Sequence, residues 1–196
     1  ETSIDDFLAR TVYMVATHMK AGVCSIYLYD EGGDELVLKA TRGLAPDSVN
    51  RIRLKPGEGL VGTALLERKT VREKVGSENP NYRFYPGSNE ELFEAFLAIP
   101  IVRGATPIGV LAVQRERGDD FDTQDELALR ATASQLASML EHIRLLMSMR
   151  EGLSPRRKDI DFTKLIFLKG KSASSGSAMA GAIVFHRTGA LDHPEG

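Results

Sequence analysis

Three features of the 196-residue chain predict an α+β fold. Two short apolar runs, Phe96–Val102 and Ile108–Gln114, flank Arg103-Gly104-Ala105-Thr106-Pro107. Each run is rich in Ile, Val and Leu and too brief for a buried helix, and the join carries turn residues, so Ala95–Gln114 is a β-hairpin. A second hairpin follows from Cys24–Asp30 and Glu35–Thr41, which are rich in β-formers and joined by Glu31-Gly32-Gly33-Asp34. Apolar residues at helical spacing stand at both ends of residues 1–150. Neither run of the 95–114 hairpin alternates cleanly between apolar and polar, so both faces of these strands are covered, as at the centre of a sheet.

In chain order, Ser3-Ile4-Asp5-Asp6 can cap a first helix. Phe7, Leu8, Val12, Val15, Ala16 and Met19 give that helix its apolar face, and Gly22 stops it. After the first hairpin, Arg42-Gly43-Leu44-Ala45-Pro46 breaks the strand, a short helical stretch follows from Asp47, and Arg51–Leu54 is a brief strand. Lys55–Leu66 sets Gly57, Gly59 and Gly62 ahead of a helix that ends near Arg68. A glycine turn opening a helix can cradle a phosphate, but this one lacks the P-loop spacing and its Gly-Lys-Ser/Thr, which leaves an ordinary tight turn. Val71–Pro86 is irregular and carries polar and aromatic side chains of the kind that line ligand sites. Glu90–Glu94 reads as one helical turn before the 95–114 hairpin.

Beyond a polar loop at Arg117–Asp120, Thr123-Gln-Asp-Glu126 fits a capping box. Leu129, Ala133, Leu136, Leu140, Ile143 and Met147 then recur in alternating steps of four and three, a heptad seam on a helix running to about Arg150. Such a helix would outlast the domain it packs on, so the seam reads as a homodimer interface. Gly152-Leu153-Ser154-Pro155-Arg156-Arg157-Lys158 is polar, charged and rich in breakers, which opens a linker taken as 151–168. The opening on Glu1 and the end at Gly196, soon after a new segment starts, read as a piece of a longer protein.

Composition narrows the function. With 42% apolar residues the chain can build a core, and its net charge of −2 is spread with no basic stripe, which argues against nucleic acid. The single cysteine, Cys24, sits in an apolar run as a core residue without an activating neighbour. No run approaches membrane-spanning length and no signal peptide opens the chain, so the expectation is a cytoplasmic protein with no membrane partner. No spaced His/Cys cluster suggests a metal, and no nucleophile–base set suggests catalysis within this stretch.

The order of helix, CSIYLYD, DELVLKATRGL, KPGEGLVGTALLERKTV, AFLAIPIV, PIGVLAVQ and FDTQDELALRATASQLASML resembles the GAF domain family across residues 1–148. The resemblance implies an antiparallel sheet of about six strands, with the N- and C-terminal helices on one face and a ligand pocket on the other, roofed by Val71–Leu92. Residues 169–196, with Gly170-Lys-Ser-Ala-Ser-Ser-Gly176-Ser-Ala178-Met-Ala-Gly-Ala182, resemble the opening segment of enzyme I of the phosphoenolpyruvate phosphotransferase system. Ser175 replaces a usual proline there, and Ala180-Gly181 replaces a usual Gly-Lys. GAF domain, linker and this segment together are similar to the nitrogen-related enzyme I. That implies a parent phosphotransferase, a kinase-type transferase, using phosphoenolpyruvate and Mg2+ to phosphorylate a histidine and then a phosphocarrier protein, with histidine and metal site beyond Gly196. This stretch itself would need no cofactor.

For the GAF segment the resemblance implies a regulatory sensor in nitrogen regulation, with glutamine as its small-molecule effector. An amino acid needs a cation or amides for its carboxylate and acceptors for its ammonium. Arg42, Arg72 and Arg83 are the candidate cations, Glu73 and Glu94 the acceptors, Tyr27, Tyr29, Tyr82 and Tyr85 the walls, and Ala98, Pro100 and Gln114 the floor. The alternative is a ligand-free dimerisation module working through the heptad helix. A cyclic-nucleotide or tetrapyrrole GAF domain lacks its signature residues here.

Overall fold

The computed structural model describes residues 4–150, with side chains up to Leu146. The segments read above as linker and truncated domain start, 151–168 and 169–196, lie outside the described residues, as does the Ser3 cap. Helix α1 spans Ile4–His18 and buries Leu8, Val12, Val15 and Ala16, the face its apolar spacing predicts. Strands β1 (Val23–Asp30) and β2 (Glu35–Arg42) form the first hairpin, and Pro46–Ser48 makes a single 3-10 turn. Strand β3 is only Arg53–Leu54. Helix α2 runs from Gly59 to Glu67 and ends on Arg68 in the left-handed conformation, its amide bonded back to the Leu65 carbonyl. Strands β5 (Ala95–Arg103) and β6 (Thr106–Arg115) are joined through Gly104-Ala105, a tighter turn than the five-residue join read from sequence.

Two local readings need correction. Val71–Glu73, expected as part of an irregular stretch, is an edge strand, β4, pairing with Ala98, Leu97 and Phe96. Three residues are too few to show a period, and only the β5 edge makes them a strand. Glu90–Glu94 is not helical; it holds a turn closed by the Phe93 amide on the Glu90 carbonyl at 2.9 Å.

The six strands form one antiparallel sheet in the order β3-β2-β1-β6-β5-β4. Helices α1 and α3 (Thr123–Arg150) cover one face, packing on Cys24, Ile26, Leu28, Leu97, Ile99, Ile101, Leu111 and Val113. The other face carries Tyr27, Leu36, Leu38, Phe96, Ala98, Val110 and Ala112 under α2 and the loops. Burial on both faces accounts for the missing alternation in β5 and β6. At Gly109 the two central strands approach so closely that a Cβ would sit 2.0 Å from the Tyr27 carbonyl oxygen. The Lys55–Gly62 turn uses its own amides, Gly57 to the Gly62 carbonyl and Glu58 to the Lys55 carbonyl, which leaves these two unavailable to a phosphate.

β2 contains a bulge. Ile26 pairs with Ala40 but Tyr27 pairs with Leu38, so Lys39 is an extra residue, with its ammonium donating to Asn50 at 2.9 Å. The phase of the strand changes there, which places Ala40 and Arg42 on the helix side although Leu36 and Leu38 face the other way.

Helix α3 is capped one residue earlier than its sequence suggests. The Asp122 carboxylate accepts from the Asp125 amide at 2.8 Å, and the Asp125 carboxylate accepts from the Asp122 amide at 3.1 Å. The heptad seam also takes a different partner. Leu129, Ala133, Leu136 and Leu140 are at most 3% exposed because they pack on this chain's own sheet. Ile143 is half-buried, and the Met147 side chain lies outside the described residues. Steps of four and three mark a buried helix stripe whatever covers it, and here a sheet does. Leu136→Ala is accordingly expected to reduce the unfolding free energy by about 3 kcal/mol in a urea titration, through lost burial and a cavity.

Candidate ligand-binding pocket

A cavity of about 40 Å³ lies on the sheet face away from α1 and α3. Its floor is Ser25, Tyr27, Ala112 and Gln114 from the central strands, with Phe96 from β5. One wall is Leu54 and the start of α2, Gly59, Leu60 and Val61; the roof is Tyr82, Arg83, Tyr85 and Glu90. These roof residues belong to an extended strap between β4 and β5. The strap is held by the Gly76 amide on the Glu94 carbonyl at 2.7 Å, the Ala45 amide on the Ser88 carbonyl at 2.9 Å, and an ion pair of Arg83 with Glu58 at 3.2 Å. Tyr85 Oη reaches the Arg53 carbonyl at 3.5 Å.

Among the expected ligand residues, Tyr27, Tyr82, Arg83, Tyr85 and Gln114 meet at this cavity. The others stand elsewhere. Arg42, shifted by the bulge, donates to Thr17 Oγ1 at 3.1 Å and stacks 4.8 Å over the Tyr13 ring on α1. Arg72 points to the helix side and pairs with Glu126 at 3.6 Å. Glu73 accepts from Asn79 at 2.7 Å and borders an open groove with Lys74, Phe121 and Thr123. Glu94 pairs with Arg117 at 3.2 Å. Tyr29 donates to Asp34 at 2.6 Å at the far end of β1. Ala98 is buried on the pocket face beneath the apolar packing and does not line the cavity, and Pro100 lies farther along β5 beside Val110.

The sequence reading missed Glu90. The Tyr85 amide donates to its carboxylate at 3.3 Å, and the Gln114 amide and Ser88 hydroxyl also stand beside it. Burial is the largest influence on this group and raises its pKa; those three donors oppose the rise, and neighbouring Glu91 adds to it. Nothing in Ser88-Asn89-Glu90-Glu91 distinguishes this carboxylate from its surface neighbours, and only the fold of the strap brings it over the floor. The phenols are also shifted. Burial raises the pKa of Tyr27, with Glu90 and Tyr85 adding to it, and burial is likewise the leading cause for Tyr82 and Tyr85. All three therefore remain hydroxyl donors through the neutral range.

Cys24 sits on the opposite face of β1, fully buried, where burial pushes its thiol up to about 12. Thiolate is the reactive form, so iodoacetamide at neutral pH should leave the folded protein unmodified and label it stoichiometrically in denaturant, read by mass spectrometry.

The family model for the GAF domain matches residues 1–141. This chain belongs to the GAF domain family. The GAF domain is 32% identical over 142 residues to the Escherichia coli protein described as phosphoenolpyruvate-dependent phosphotransferase system, a match that covers 72% of this chain and 19% of that protein. The chain thus spans about a fifth of that relative's length. A solved GAF domain from a phosphoenolpyruvate-protein phosphotransferase of Coxiella burnetii superposes with a TM-score of 0.71 at 28% identity, covering 76% of this chain and 88% of that one. The free methionine-R-sulfoxide reductase of Neisseria meningitidis, solved in complex with its substrate, gives a TM-score of 0.64 at 26% identity, covering 74% and 83%. The GAF domain is thus a regulatory sensing module similar to those of phosphotransferase-system proteins. No helix among its described residues is long and apolar enough to cross a membrane.

Proposed function

We propose that this GAF domain senses an amino acid, with glutamine as the effector, and that occupancy regulates a phosphoenolpyruvate-protein phosphotransferase of the nitrogen-related system. The observation that carries the reading is the pairing of opposite charges in one pocket: Arg83 and Glu90 stand on the same strap above a floor that offers Ser25, Tyr27 and Gln114. A zwitterion needs a cation for its carboxylate and an acceptor for its ammonium, and uncharged donors and acceptors suit a side-chain amide. The likeness to a free methionine-R-sulfoxide reductase solved in complex with its substrate supports an amino-acid-sized ligand. Because Cys24 is buried behind the sheet, this pocket would bind an amino acid without thiol chemistry.

The cavity of about 40 Å³ suits about three waters at the usual volume each requires, not a whole amino acid. In this reading the strap lifts on binding, against ties from Gly76, Ala45 and Arg83. Titrating L-glutamine into the 196-residue chain should give saturable heat that Arg83→Ala weakens about tenfold, as expected for losing one charge-assisted contact. A flat trace at millimolar glutamine would count decisively against the reading. In the whole protein, phosphoenolpyruvate, Mg2+ and a phosphocarrier protein are the proposed substrate, metal and partner.

A second reading, dimerisation, keeps one supporting observation after its seam has moved into the core. Tyr13 (64% exposed) and Met14 (53%) on α1, with Met139 (47%) and Leu146 (56%) on α3, leave apolar side chains on the outer surface of the helix layer. A homodimer through these residues is expected to appear in light scattering and to dissociate in Met139→Glu/Leu146→Glu; a monomeric wild type sinks it.

A further inference from the structure

Gln114 and Arg115 are consecutive on the central strand β6 and face opposite sides of the sheet. Gln114 lies on the pocket floor beside Glu90. Arg115 is buried under the helix layer and gathers both helix ends there. Its Nε donates to the Met19 carbonyl at 3.0 Å, just past the end of α1, and Nη2 donates to the same oxygen. Nη1 and Nη2 hold the two Asp125 carboxylate oxygens at 2.9 and 3.0 Å in the first turn of α3, and Nη1 reaches the Asp120 carbonyl at 3.3 Å. The guanidinium also lies 4.3 Å over the Phe121 ring. Asp125 is itself half of the α3 cap, through Asp122.

This arrangement joins three elements through one planar, fivefold donor whose fork geometry tolerates little displacement. A bidentate ion pair has two discrete arrangements, made or remade, rather than a continuous range. A ligand held between Glu90 and the Gln114 side chain would bear on β6 at Gln114, whose next residue is fixed to the helix layer. Any displacement there would reach the end of α1 and the start of α3 through the Arg115 contacts.

We propose that Arg115 is the coupling residue of this sensor, transmitting occupancy of the pocket face to both helices on the other face. The proposal rests on the amino-acid-sensing reading and adds its regulation. It concerns positioning, since Arg115 touches no ligand.

The test is hydrogen exchange by mass spectrometry on the 196-residue chain with and without L-glutamine, alongside calorimetry of the same samples. In the wild type, ligand should change exchange at residues 13–20 and 119–128 by about fivefold or more, the lower end of ordinary coupling between sites. Arg115→Lys keeps the charge but loses the fork; it should bind L-glutamine within about threefold of wild type, near the limit of what a non-contacting change does, while the exchange response at both helix ends disappears. Asp125→Asn is the second variant, smaller in its disturbance, and should also uncouple. Saturable heat with silent helix ends in the wild type overturns the coupling alone, as does an undiminished response in both variants. A flat calorimetric trace overturns the sensing reading, and the coupling with it.

Discussion

Gly109→Ala should be among the most damaging single substitutions in the domain, lowering the unfolding free energy by about 4 kcal/mol or more, a size confined to a few severe mechanisms. The added Cβ would fall 2.0 Å from the Tyr27 carbonyl oxygen, 3.1 Å from its carbon and 3.2 Å from the Leu28 Cα. All three are backbone atoms of β1, so no side chain can rotate away. Relief requires β1 and β6 to separate where Leu28 pairs with Gly109, in the middle of the sheet. Both faces of these strands carry buried cores that would have to follow. The expected readout is a large fall in the urea midpoint, or no folded protein; a midpoint within experimental error of wild type refutes the close approach.

Glu90→Gln should separate stability from binding. The raised pKa of Glu90 means that the folded state holds its proton more tightly than the unfolded chain does. Between the unfolded value near 4.5 and the folded value, the native state therefore binds more protons, and stability falls as pH rises. The stabilising contribution of the neutral acid is fully present below that window and gone above it. Glu90→Gln removes this loss, so the ligand-free domain should melt higher than wild type at pH 7 and equal to it near pH 4. Binding goes the other way. The carboxylate that costs stability is the proposed partner of the ligand ammonium, and its loss should weaken L-glutamine about tenfold to a hundredfold, the range for a hydrogen bond between charged groups. Wild-type affinity should also decline as pH falls through the Glu90 pKa, with proton release on binding visible as buffer-dependent heat. Equal affinity in the Gln variant removes Glu90 from the ligand's shell.

The elements that were legible in the chain are those whose own residues carry a period. Helices α1, α2 and α3 and the strands of both hairpins declare themselves through apolar spacing and turn chemistry, because each needs only local pattern to be recognised. What escaped needed a neighbour. Val71–Glu73 becomes a strand only through β5, and Leu129, Ala133, Leu136 and Leu140 show the same spacing whether a second chain or their own sheet covers them. Within the pocket, aromatic residues and Arg83 in a loop were visible as ligand chemistry, and Gln114 as the polar end of an apolar strand. Glu90 was not, since its partners Tyr85, Ser88 and Gln114 come together around it only in the fold. Arg42, read as the first residue after the strand and a candidate cation for the ligand, instead ends β2 on the helix side, because the bulge at Lys39 sets the face it takes.

That extra residue, Lys39, has a consequence for how the chain length of β2 can vary. With Lys39 counted out, Leu38, Ala40, Thr41 and Arg42 alternate in regular order, and each already occupies the face that this shorter strand would assign to it. A one-residue deletion inside a paired strand ordinarily turns every later side chain to the wrong side. Here it would leave Thr41 bonded to Ser25 and Arg42 over Tyr13, at the loss of the contacts of Lys39, among them its tie to Asn50 and its attraction to Asp5. β2 is thus a strand that can lose one residue at position 39 without turning its later side chains to the wrong face.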